Sequence, residues 1–187
     1  QGNYYSTCTE NMLVENVDVT FSTGMAIGTV PPKNNFNCIK NVTFKNINFN
    51  MPFKAIYIKT NPGDSGYGLI KNIVYEDIII TKPLWFSVYI GPQQQKQPDG
   101  SGPGCMLYPL DPNCPTEPRV TIKDIVLKNV ESTDGLLLPG IIRCNETNPC
   151  YDFVFNNVNI NGWMSNKGYI CENINGISYD SYPEPCF

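Results

Sequence analysis

Apolar and polar residues alternate along most of the chain with a period of two, in short runs broken by Asn or Asp. Five runs superimpose: NMLVENVDV from Asn11, NVTFKNINF from Asn41, NIVYEDIII from Asn72, DIVLKNVES from Asp124 and DFVFNNVNI from Asp152. Each opens on Asn or Asp, alternates, meets a second Asn or Asp five residues on, and alternates again. The starts lie 30, 31, 52 and 28 residues apart. The long interval holds an inserted loop at 91–118, rich in Pro and Gly. A second alternating stretch follows each start about half a repeat later: GMAIGT, KAIYIKT, WFSVYIG, PGIIRC and KGYICE. No helical period occurs. Period-2 strands recurring about every 30 residues describe an all-β parallel β-helix, a solenoid of about five coils forming one domain over 1–187. Asn16, Asn46, Asp77, Asn129 and Asn157 would then stack at one corner. Asn tolerates the left-handed backbone such a corner needs, and stacked amides bond to one another.

The eight cysteines test that register. Cys8 and Cys38 each precede a repeat start by three residues, so they are equivalent positions on adjacent coils. Neighbouring strands lie about 4.8 Å apart, within disulfide reach. A Cys8–Cys38 staple follows, with Cys105–Cys114 closing the inserted loop, Cys144–Cys150 a turn and Cys171–Cys186 the C-terminal tail. An even cysteine set without a C-x-x-C pair points to disulfides in an oxidising compartment, hence to a secreted, extracellular protein. The sequons at Asn41 and Asn145 agree with this, Asn145 being the better glycan site because Asn41 also starts a turn.

Charge and composition then narrow the chemistry. A net charge of −4 argues against a nucleic-acid partner, and no apolar run is long enough for a membrane span. The absence of histidine removes His-dependent triads, His-bearing zinc sites and histidine acid/base catalysis. No metal or organic cofactor is indicated. In KAIYIKT the alternation puts Ile56 and Ile58 in the core, and Ala55, Tyr57 and Lys59 on the outward face. Stacked on GMAIGT and FSVYI, that face is a natural groove for an extended polymer.

STGMAIGTV, followed by AIYIKTNPGDSGYGLIKNI, resembles the second half of glycoside hydrolase family 28, the polygalacturonase family. Its members carry G-H-G-x-S-I-G-S, then R-I-K-T and a Gly-rich turn. The resemblance implies a right-handed parallel β-helix acting on pectin-type or other acidic polysaccharide. Ile27 and Gly28 match the first motif, Ala26 and Thr29 replace its serines, and its histidine falls on Thr23. Ile58 and Lys59 match the second motif, whose arginine falls on Tyr57. The family's Arg and Lys hold the carboxylate of galacturonic acid, and here only Lys59 remains for that role; Tyr57 and Thr23, at the arginine and histidine positions, are the other implied substrate-binding residues.

The resemblance also implies inverting hydrolysis by aspartates of an N-x-D and a D-D motif, with carboxyl groups roughly 6.5–9.5 Å apart. These motifs lie upstream of the first motif, so no catalytic residue is expected within this chain. Asp64 is the nearest carboxylate, and alone it cannot fill both roles. The first coil is expected to be covered by an upstream segment of the same protein or by another chain. The alternative is a non-catalytic secreted β-helix with a structural, assembly or glycan-binding role. Trp85, Phe86 and Tyr89 read as packing rather than as a sugar platform, and Gln93–Gln95 as a polar loop.

Overall fold

A computed structural model describes residues 8–30, 36–63, 65–93, 104–105 and 107–187. Its strands are β1 (Cys8–Thr20), β2 (Met25–Val30), β3 (Phe36–Asn50), β4 (Lys54–Thr60), β5 (Tyr67–Thr81), β6 (Phe86–Gln93), β7 (Val120–Gly135), β8 (Gly140–Arg143), β9 (Cys150–Gly162), β10 (Ile170–Glu172) and β11 (Ile174–Tyr179). Odd-numbered strands form one sheet in the order β1-β3-β5-β7-β9-β11, and even-numbered strands the other, β2-β4-β6-β8-β10. All these pairings are parallel. The chain therefore climbs one rung per coil and alternates between two faces, which is a parallel β-helix.

The repeat register read from the sequence is the register of the first sheet. Val42, Ile73, Ile125 and Phe153 form one column, and Ile47, Ile78, Val130 and Val158 another. All eight are buried in the main core. Between these columns the long strands bend, and the residue at each bend takes a left-handed backbone. Asn16, Asn46, Asp77, Asn129 and Asn157 have φ between 52° and 58°. Asn11, Asn41, Asn72, Asp124 and Asp152 repeat the conformation at φ between 54° and 60°. Both sets form side-chain ladders. Asn46 donates to Asn16 at 2.6 Å, Asn129 to Asp77 at 2.9 Å and Asn157 to Asn129 at 3.1 Å. Asn41 donates to Asn11 at 3.0 Å and accepts from Asn72 at 2.9 Å.

The four disulfides pair as the spacing predicts: Cys8–Cys38, Cys105–Cys114, Cys144–Cys150 and Cys171–Cys186. Cys8 and Cys38 are direct ladder partners, with Cα atoms 4.6 Å apart. The described part of the 91–118 loop lies against the outer side of the second sheet. There the Tyr89 hydroxyl donates to the Cys105 carbonyl at 2.7 Å, and Arg143 donates through Nη1 to the Cys114 carbonyl at 2.8 Å. The insertion thus closes part of the face that the alternation leaves open.

Candidate functional site

The outward face of the second sheet carries the motif residues. One row across it runs Ala26, Tyr57, Tyr89, Ile141 and Ile170. Lys59 stands two residues beyond Tyr57, at the bulge that follows Ile58. Gly28, of the Ile-Gly motif, has φ 113°, and a Cβ there would lie 2.3 Å from the Lys59 carbonyl. The glycine lets the two backbones approach and so sets where Lys59 emerges. Lys59 is half-buried, and its ammonium lies 5.4 Å from the centre of the Tyr57 ring. Burial lowers its pKa.

Tyr57 faces outward, as the alternation requires, but it is only 6% exposed. The edge-on ring of Tyr89, 5.7 Å away, and the outer cluster of Phe86, Ile141, Tyr108 and Leu137 cover it. Burial pushes its hydroxyl up to about 12. Tyr57 is therefore a wall of the site rather than an open sugar platform. Thr23 is exposed in the turn between β1 and β2, beside Gly24, whose amide donates to Ser22.

The strict alternation fails at the start of β4. Ala55, expected outward, packs in the main core beside Ile56. The outward place goes to Lys54, whose ladder partner is Phe86 of the outer cluster. A corner precedes β4, and the bend puts two consecutive side chains on the inner side. Lys54 is 4% exposed, with Nζ 3.7 Å from the centre of the Tyr89 ring and 4.6 Å from that of Tyr57. Burial, assisted by the charge of Lys59, pushes its pKa down to about 8. The period-2 reading missed this residue. The lysine at the strand start was its only trace in the sequence.

Glu117, from the inserted loop, was also missed, since nothing in sequence places it near Lys59. It is buried, accepts from the Gly63 amide at 3.2 Å and the Arg119 amide at 2.9 Å, and burial raises its pKa. Gln93 donates to it at 3.4 Å. Glu117 thereby fastens the Asn-Pro-Gly turn that follows Lys59. Asp64, Gln94 and Gln95 lie outside the described residues. Arg143 pairs with Glu172 at 2.7 Å and stacks on Tyr108. The other packing residues behave as read: Trp85 stacks on Phe53 and meets Phe86 edge-on.

Of the two sequon asparagines, Asn41 is a rung of the ladder. Asn145 accepts from the Thr147 hydroxyl at 2.8 Å and donates to Thr116. Among the described residues no group of three or more His, Cys, Asp and Glu could hold a metal ion. Among the described residues no helix is long and apolar enough to cross a membrane.

The family model for glycosyl hydrolases family 28 matches residues 5–182. A probable rhamnogalacturonase C of Aspergillus flavus is 30% identical over 89% of this chain and 32% of its own length. A putative galacturan 1,4-alpha-galacturonidase A of the same fungus is 27% identical over 91% of the chain and 44% of its own. An exopolygalacturonase (clone GBGA483) of Arabidopsis thaliana is 27% identical over 90% of the chain and 35% of its own. The chain thus spans less than half the length of these relatives. No solved structure matches it.

Proposed function

The chain belongs to glycosyl hydrolases family 28, and from that premise we propose that it forms the acid-binding part of a secreted hydrolase of pectin-type polysaccharide. The observation that carries this reading is Lys59: a half-exposed ammonium fixed between the Gly28 approach and the turn fastened by Glu117. A charge-assisted contact from a preplaced ammonium suits a uronate carboxylate. Lys54 adds a second positive charge behind the tyrosine wall. Tyr57 shapes that wall, and Thr23, exposed in the turn before β2, is the further candidate for a sugar hydroxyl. The carboxylates of hydrolysis come from segments other than this face. The open edge of β1 is covered in the assembled protein by further coils or another chain. Four disulfides fit an extracellular setting, and Asn145 and Asn41 are its sequon acceptors.

In the full-length protein, Lys59→Met should weaken trigalacturonate binding by about tenfold or more, measured by calorimetry. Equal affinity for variant and parent would refute the assignment of Lys59. One observation favours a second reading, glycan binding without hydrolysis. Glu172 and Glu117, acidic side chains at this face, are both engaged, one with Arg143 and the other with backbone amides. Release of reducing ends from polygalacturonate by the full-length protein decides between the two.

A further inference from the structure

A different corner of the β-helix carries a groove of about 540 Å³. It lies where β7 leaves the first sheet and, one coil later, where β9 does. Its lining comprises Thr133, Asp134, Gly135, Leu136, Asn161, Gly162 and Trp163. Gly135 and Gly162 are ladder partners at its floor, where a Cβ on Gly162 would lie 2.4 Å from the Gly135 carbonyl. Two stacked residues without side chains leave a depression between their neighbours. Trp163 donates its amide to the Gly135 carbonyl at 2.8 Å, which holds the residue at the groove.

Two large apolar side chains beside this floor are left exposed. Trp163 is 86% exposed and Leu136 63%. An exposed indole and an exposed leucine lining one groove form an apolar patch of the kind that ligands cover. Asp134 and Asn161 are exposed beside it and bond to no side chain among the described residues. Asp134 has φ 60°, so its place on the rim is fixed by the backbone. The outer asparagine ladders engage their amides, whereas these two polar groups remain available.

We propose that this groove is a second carbohydrate-binding site, one that takes a neutral sugar residue on the face of Trp163. A pyranose offers an apolar C–H face and a rim of hydroxyls. The indole matches the face, and Asp134, Asn161 and Thr133 match the hydroxyls. The Asp134 carboxylate repels a uronate, which separates this site from the cationic Lys54–Lys59 face. The volume suits one or two sugar rings. Leu137 and Leu138, next to the groove, belong to the same outer cluster as Tyr57 and Tyr89. The two sites therefore border one another across that cluster, and together they fit a polymer that mixes acidic and neutral residues.

The test uses the full-length protein and tryptophan fluorescence, with β-1,4-galactotetraose as the neutral probe and trigalacturonate as the acidic one. The neutral probe should change the emission saturably, and Trp163→Ala should abolish that change. Asp134→Asn, which tolerates the same backbone, should let trigalacturonate compete at the groove. Lys59→Met should leave neutral binding unaltered, so failure of the uronate site is distinguishable from failure of this one. Should neither probe, nor a rhamnose-containing oligosaccharide, perturb Trp163, the site is not a sugar site and the proposal is overturned. A Trp163→Ala variant that binds the neutral probe as well as the parent overturns it equally.

Discussion

Lys54 and Lys59 put two ammonium groups on one short strand, and only the second reaches solvent. Lys54 is held among Tyr57, Tyr89 and Phe86, with Lys59 on its own strand and Arg143 and Tyr108 across the outer cluster. Its pKa of about 8 lies below the ordinary 10.5, so the unfolded chain holds this proton more tightly than the folded one. Below pH 8 both states are charged, and the desolvation cost is present in full. As pH rises from 8 towards 10.5 the native lysine is already neutral, and stability rises until the cost is gone. Lys54→Met removes the charge at nearly constant volume. Desolvation less the lost cation–π contact leaves a gain of roughly 1–3 kcal/mol at pH 7. Thermal melts of parent and variant from pH 6 to 10 should show the gap closing as pH rises. A gap that does not change with pH would show that Lys54 carries no such penalty. Lys59→Met should move the pH at which the gap begins to close upward, because it removes a charge that lowers the Lys54 pKa.

The coil is the element on which this fold is built, and the asparagine corner is its hinge. Asn129 donates to Asp77 and accepts from Asn157, all three with left-handed backbones. Replacing it separates two effects. Asn129→Gly keeps the backbone and loses the exposed bonds, costing about 1 kcal/mol. Asn129→Ala loses the bonds and also forces a Cβ into φ 52°, costing about 2 kcal/mol. Denaturant midpoints should rank parent above Gly above Ala, and Ala equal to Gly would remove the backbone term. This corner was readable in the sequence because one residue type satisfies both demands at a fixed spacing. Cys8–Cys38 was readable for the same reason, since a repeat start defines equivalent positions. The second sheet was read less well. Its strands are short and begin at corners, so the bend before β4 shifts Ala55 inward and Lys54 outward without any change in composition. Tyr57 was expected in the open, but Tyr89 and the outer cluster cover it. Glu117 reaches the turn after Lys59 from 54 residues away, a contact that no local pattern encodes. The glycine-floored groove beside Trp163 was missed because its glycines lie in different coils and meet only through the stacking register.

Across the whole molecule the two ends of the stack differ. At the C-terminal end Phe187 packs edge-on against Phe153 and Phe155, and the tail is fastened by Cys171–Cys186 and by the Tyr182 amide on the Val158 carbonyl. That end of the core is closed. At the other end β1 is the edge of the first sheet, and Val14, Val17 and Val19 are only partly buried where their counterparts in later coils are sealed. Leu13 is 60% exposed. The Cys8–Cys38 staple keeps this coil in register but covers nothing. A parallel edge that no strand among the described residues pairs, lined by half-covered valines, is a template for another strand. The 187-residue chain studied by itself should therefore associate through β1, its apparent mass rising with concentration in sedimentation. Amide exchange should be fast along β1 in the dilute form and slow in the associated one, while β7 stays protected in both. A chain that remains monomeric over the accessible concentration range would refute association through β1.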